Sequence, residues 1–308
     1  MIDYPALHYP VAISEILSEI KFVDIPKEIQ NGLKNEIKLV DFDGKLTNTA
    51  SIDENGQVYF SVAYAQLIWF LCYISIYVYD YTAVGKELAN YNKHQQTQFI
   101  SSIEQFPEIK QYIIDLFKEE DCHELLDSIT ELCYKISSQL ELNEENISLI
   151  ESFDVQSPLC SKIGSAYCYA MAFILLHEFS HHSLHHDFTN DGDIYEEIDA
   201  DDNAFLSMIS DFTGTKDFTS KIGIISALGS FIFVNPTLKN YAHPDSDDRL
   251  FGYFDQIDGL KGKGERYLII ILTAWAICFS KKDFPKANIN ESDEVTLQRM
   301  RDYLSSNK

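Results

Sequence analysis

Twenty-two consecutive residues, Val58 to Tyr79, carry no charged side chain (VYFSVAYAQLIWFLCYISIYVY). A run of that length can span a bilayer, so it has to be hidden either in lipid or in a protein core. Its composition favours the core. Five tyrosines and Gln66 interrupt it, and acidic Glu54 and Asp80 flank it. The basic residues expected at the cytoplasmic edge of a membrane span are missing. The run therefore predicts a buried helix with the rest of the chain packed around it. A second apolar run, Tyr267–Phe279, is too short to cross a bilayer and reads as core.

The bulk of the chain agrees with a globular reading. Of its 308 residues 45% are hydrophobic, enough for a real core. The formal charge is −24, from 24 basic and 48 acidic side chains. That argues against a phosphate-binding surface, so neither nucleic acid nor anionic lipid is an expected partner. The six cysteines, Cys72, Cys122, Cys133, Cys160, Cys168 and Cys278, form no close pair and read as thiols of a reducing compartment. The N-terminal residues lack the basic and apolar regions of a secretory signal, and the expected location is the cytoplasm.

Along the chain, Pro26–Val40 has helical periodicity, and Lys45–Val62 reads as a hairpin turning at Asn55-Gly56. Helices dominate from Val62. Further ones are expected over His123–Leu140, about Ser161–His186, from about Ile194, Lys221–Phe233 and Glu265–Ser280. Loops rich in Asp, Asn, Gly and Pro separate them, among them Asp187–Asp193 and Ala242–Arg249. The fold class is mainly α (α+β). One domain is expected over 1–308, with a mixed α/β portion in about 1–60 and a helical portion in about 61–308.

The chemistry concentrates in Leu175–Asp187 (LLHEFSHHSLHHD), which holds five of the nine histidines. His177-Glu178-Phe179-Ser180-His181 is an H-E-x-x-H match. Residues four apart share a helix face, so both imidazoles can reach one ion. Glu178 is rotated about a quarter turn away, placed as a base and not as a ligand. The preceding YAMAFILL is apolar all round, which buries the helix. A charged Glu beside two His in such a place is costly without a metal or a partner. The bland alternative is a solvated helix end.

A catalytic zinc needs a third protein ligand and one open position. Asp187, ten residues after His177, is one candidate. It requires the helix to stop and turn at position 184, where glycine is suited and Leu184 stands. The other candidate is Tyr195–Phe205 (YEEIDADDNAF), where Glu197 and Asp201 lie one helical turn apart. Ala200 and Ala204 on that face allow close helix approach. Here Glu197 binds the metal and Asp201 fixes the tautomer of a ligand imidazole. Glu196 is the fallback if the register slips by one. Asp191 or Asp193 can cap this helix. Alone, this acidic run would be a solvated face. His243-Pro244 begins a rigid turn, from which His243 can donate to a developing oxyanion and Arg249 can orient acidic groups. His185 continues the ligand face and reads as solvated; His8, His94, His123, His182 and His186 carry no assigned role.

Taken together, HEFSH, EIDAD and HPDSDDR resemble the gluzincin peptidase pattern H-E-x-x-H…E-x-x-A-D…H-P-x-x-x-x-R. HtpX-type and CAAX-processing membrane peptidases share it. The chain is most similar to the Lit-type phage-exclusion peptidases, which have a comparable length and a Tyr/Trp-rich apolar helix ahead of the zinc motif. The resemblance covers about Val58–Leu250 and departs from an E-x-E-A-D form at Asp199. It implies a zincin-like, cytoplasmic, Zn2+-dependent endopeptidase of phage defence that cleaves elongation factor Tu. His177, His181 and Glu197 would be the ligands and Glu178 the base. A protease of this kind, if always active, would kill its host, so latency and a phage-derived activator are expected. The rival readings are a non-hydrolytic zinc-dependent sensor and a membrane-associated HtpX-like peptidase.

Overall fold

The computed structural model describes residues 5–20, 38–40, 50–52, 58–90, 158–184, 194–211, 215–235, 237–238, 243–279, 281–287 and 291–307. Among these lie a 3-10 turn, Pro5–His8, three short strands and eight α-helices. The strands are β1 (Lys38–Val40), β2 (Ala50–Ile52) and β3 (Val58–Ser61). The helices are α1 (Pro10–Glu19), α2 (Val62–Asn90), α3 (Pro158–Ser183), α4 (Ile194–Asp211), α5 (Thr215–Val234), α6 (Ser246–Phe254), α7 (Lys263–Cys278) and α8 (Asp293–Ser306). The architecture is mainly helical with a small sheet near the N-terminus.

The sheet has the order β1-β3-β2. The expected hairpin forms, with β2 antiparallel to β3 and Ile52 opposite Val58; its turn lies outside the described residues. Lys38–Val40, the end of a run with helical period, is instead a strand parallel to β3. Three residues are too few for a period to decide, and pairing with β3 decides for them. The uncharged run is also divided. Its first four residues form β3, and the helix begins at Val62.

The two long apolar helices form the centre. Tyr64, Leu67, Ile68 and Trp69 of α2 are wholly buried. The tyrosines of α2 stack along one face: Trp69 on Tyr73 and Tyr73 on Tyr77 at 5.5 Å, then Tyr77 on Tyr81 at 6.1 Å. From Ala166 to Leu176 helix α3 is apolar around its circumference and buried at every position, with α1, α2, α4, α5 and β2 all touching the helix. Helix α5 approaches it closely at Gly223. A Cβ there would sit 2.6 Å from Tyr169 Cβ and 2.7 Å from the Ala166 carbonyl oxygen, so only glycine lets these two backbones meet. By length and composition Val62–Ala83 and Pro158–Ser183 could each cross a membrane, and 83% of the tested window in each is buried inside the protein.

Helices α6, α7 and α8 close the other end. Arg301 of α8 grips Asp255 with two nitrogens, at 2.9 and 2.7 Å, and stacks on Phe251. Phe284 packs between Trp275 and Tyr303. The stretch read as a loop, Ala242–Arg249, turns helical at Ser246, with Asp247 and Asp248 in the first turn of α6. The helix expected over His123–Leu140 lies outside the described residues.

Candidate metal centre

The H-E-x-x-H residues occupy the last turns of α3, where its apolar surface gives way to polar groups. His177 is 7% exposed although it is an imidazole. Ser180 bonds back to the Leu176 carbonyl at 2.7 Å, which satisfies its hydroxyl inside the helix. Helix α4 lies against this end of α3, with Ala200 and Ala204 wholly buried. Their small side chains let the two helices come close. Glu197 and Asp201, one turn apart, then point at the histidines, at 6% and 1% exposure.

The ring nitrogens His177 Nε2 and His181 Nε2 stand 3.1 Å apart. The Glu197 carboxylate oxygens lie 3.2 Å from His181 Nε2 and 3.4 Å from His177 Nε2. Bonds of about 2.0–2.1 Å to one ion at tetrahedral angles would separate the ligand atoms by roughly 3.3–3.4 Å. These three side chains thus have the spacing of a shared ion, and the ligand atoms of all three fall within 4.8 Å of one another. Glu196, one residue away, is not in the cluster. Asp187, His185 and His186, with Asp191 and Asp193, lie outside the described residues.

The surroundings suit a cation. Asp201 Oδ1 is 2.9 Å from His177 Nδ1, which places the ring proton on Nδ1 and leaves Nε2 as an electron-pair donor. Burial alone would push the His177 imidazole down. The Asp201 and Glu197 carboxylates outweigh it and hold the pKa up at about 10. The field at this spot therefore favours positive charge, whether carried by a proton or a metal ion. Burial would likewise raise Glu197, but the neighbouring imidazoles of His177, His181 and His243 hold it well below the usual carboxylate range. Glu197 Oε2 is buried without a well-aligned hydrogen bond, an orphaned acceptor that an ion would satisfy. The donor set, two imidazoles and a carboxylate, fits zinc.

Behind the His177, His181 and Glu197 cluster sits a charge pair. Arg249 of α6 donates from Nε and one terminal nitrogen to both Asp201 oxygens, each at 2.7 Å. Its guanidinium lies 4.0 Å over the Phe231 ring of α5. Tyr253, one turn on, donates to Asp202 at 2.8 Å, so α6 holds α4 at two points. Burial opposes ionisation of Asp201, and the Arg249 charge restores it and depresses its pKa. Glu178 is half-buried beside the imidazoles. Burial raises its pKa above the ordinary carboxylate value, opposed by the positive charge of His177 and His181. His243 brings Nδ1 within 2.7 Å of Glu197 Oε2 and is 42% exposed at its side chain. The remaining histidines, His8 and His182 among those described, are not in the cluster.

A cleft of about 240 Å³ opens on this cluster. Its polar side is His177, Glu178, Glu197, His243 and Arg249. Its other side is Ile174 with Phe231 and Val234 from the end of α5, and Asn235 just past it. Sequence reasoning did not find these α5 residues, because a side chain lining a cleft and one filling a core share the same apolar helical period. Past α5 the chain turns through Leu238, whose φ of +69° is the left-handed region, a conformation that costs a leucine about 1–2 kcal/mol. Leu238 is buried, and its carbonyl accepts from Ser246 N at 3.1 Å, tying the turn to the start of α6.

Comparison with known proteins agrees with the chemistry. No curated protein and no solved structure matches the chain. Residues 58–270, well over half of the chain, match the family described as Peptidase U49, and that match spans β3, both central helices and the whole histidine–carboxylate cluster. The chain belongs to the Peptidase U49 family, the Lit peptidase family, and is a peptidase.

Proposed function

We propose that this peptidase is a zinc-dependent endopeptidase of the bacterial cytoplasm. It acts in phage exclusion by cutting a host translation factor such as elongation factor Tu, on a signal from a phage-derived activator. The observation that carries the zinc reading is the 3.1–3.4 Å spacing of the His177, His181 and Glu197 donor atoms. The substrate and the defence role are supported by the family and by the run of motifs that the chain shares with the Lit-type peptidases.

In this reading His177, His181 and Glu197 hold the ion, which supplies Lewis acidity to the hydrolysis when bound. Asp201 keeps the His177 ring turned with Nε2 inward, and Arg249 keeps Asp201 in place. Glu178 accepts a proton from the attacking water and returns it to the leaving amine. His243 offers Nε2 to the oxyanion, since its Nδ1 is turned toward Glu197.

The test is Glu178→Gln. The variant should keep one zinc per chain by elemental analysis and lose cleavage of elongation factor Tu by about 10²–10⁴-fold, the usual worth of a general base. Cleavage at the wild-type rate would remove Glu178 from the mechanism. Zinc retained by the wild type without cleavage of elongation factor Tu in lysate of phage-infected cells, which supplies the activator, would reject that substrate.

A further inference from the structure

Two phenylalanines near the end of α5 have different surroundings. Phe233 is wholly buried and meets Phe279 in the core. Phe231 is half-buried and stands in the wall of the cleft, with the Arg249 guanidinium 4.0 Å from its ring centre. An aliphatic side chain would line a cleft equally well, so an aromatic ring at this position needs a reason of its own.

Arg249 supplies that reason. It is buried, and its hydrogen bonds among the described residues are the two to Asp201. Those bonds replace lost hydration along one edge of the guanidinium and leave its flat face to be covered. An aromatic ring presents a negative face to a cation, which an aliphatic side chain lacks, and the attraction is strongest where water is excluded. Phe231 is itself held from behind. The neighbouring Ser230 donates to the Ala227 carbonyl at 2.5 Å and accepts from the buried Tyr64 hydroxyl at 2.7 Å, which fixes this turn of α5 against α2. Tyr64 in turn stacks on Phe60 of β3 at 5.4 Å.

We infer that Phe231 is a positioning residue for the metal centre: its ring holds Arg249, Arg249 holds Asp201, and Asp201 holds His177 with Nε2 toward the ion. The route passes from the cleft wall to a metal ligand through contacts of 4.0, 2.7 and 2.9 Å. One side chain thus serves both as surface for a peptide in the cleft and as support for the ion beside it. The inference rests on the zinc reading and adds an apolar residue to what sustains the site.

The experiment changes the charge of the ring face and not its size. In the full chain, stop-codon suppression places phenylalanines carrying one, two or three fluorines at position 231. These keep the shape of the ring while draining its negative face. The zinc dissociation constant, read by competition with a dye, should rise stepwise with fluorine number and reach about threefold to tenfold with three fluorines. Phe231→Leu should weaken zinc at least as much, and Phe231→Tyr, which keeps the ring, should stay within about twofold of the wild type. Urea unfolding of each apoprotein confirms that it is folded. A ring that only fills space would leave the fluorine series flat, and a flat series overturns the inference even where Phe231→Leu weakens zinc. If the wild type binds no zinc, the metal reading has failed, and the hold on His177 is judged by itself. The His177 Nδ1 proton, bonded to Asp201 and followed by NMR in the apoprotein, should then exchange with water several-fold faster beside the trifluorinated ring, and an unchanged rate overturns the inference.

Discussion

Among the described residues, two groups of side chains crowd closely enough to hold a cation: Glu197 with His177 and His181, and Asp245 with Asp247 and Asp248. The first joins two helices, is largely buried at the foot of a cleft and mixes nitrogen with oxygen donors. The second lies at the beginning of one helix, is all carboxylate, and runs from buried Asp247 to exposed Asp248. The helix itself explains the second group, because carboxylates in a first turn face the positive end of the peptide dipoles. Nothing local explains the first. Three groups that would rather be solvated have been carried into the interior by packing around α3, and an ion would repay that burial. Proximity of acidic groups is thus a weak sign, whereas a mixed donor set assembled from separate elements is a strong one.

The contrast can be broken outright. Glu197→Ala should bring zinc from one per chain to near zero and abolish cleavage, while Asp245→Ala with Asp248→Ala should leave one zinc per chain by elemental analysis. The reverse result would exchange the roles of the two groups. Asp201→Asn should be next in effect. It leaves Arg249 buried without its counter-charge, for a loss of about 3–5 kcal/mol in urea unfolding. It also weakens zinc affinity about 10–100-fold, measured by competition with a dye, because His177 loses the group that orients it.

Alkaline titration probes the packing of α2 and α3 around the first group, whose His177, held up at about 10, also loses its proton in this range. Burial pushes the thiols of Cys72 and Cys168 from an ordinary 9.0 up to about 12. The folded state therefore favours the neutral thiol. The thiol contribution should be intact below about pH 9, where the unfolded chain also keeps those protons, and should fall through the window from 9 to 12 as the unfolded thiols ionise. The slope is on the order of 1 kcal/mol per pH unit for each thiol. Tyr64 and Tyr167, raised by burial in the same way, add to the loss at the upper end. Urea unfolding at pH 8, 9, 10 and 11 would measure it, and a flat profile would show that these side chains are not buried as described. The smallest effect should come from Asp248→Asn. This removes one favourable charge from the first turn of α6 and should lower the thermal midpoint by only about 1–2 °C.

What could be read in advance follows from how local each signal is. The burial of α2 and the two-histidine face of α3 are written in consecutive residues, so period and composition reveal them. The partnership of Glu197 with that face depends on spacing across a loop, and it was readable because Ala200 and Ala204 mark the side of α4 that approaches another helix. Lys38–Val40 was misread because its conformation is set by β3, some twenty residues away. The start of α6 was misread for another reason. Pro244 and three aspartates suit a loop, yet proline followed by first-turn acids is also how a helix begins. Phe231 gave no signal, because a ring near the end of an apolar helix acquires meaning only once the guanidinium over it is known.

The enclosure of α3 by five neighbours has a practical consequence. In a small zinc finger the ion assembles the fold, and stripping it unravels the chain. Here the hydrophobic contacts of α3 are complete without it. Dialysis against a chelator should therefore leave a folded apoprotein that regains its ion on reloading, and the metal should act as a detachable part of a scaffold that stands without it.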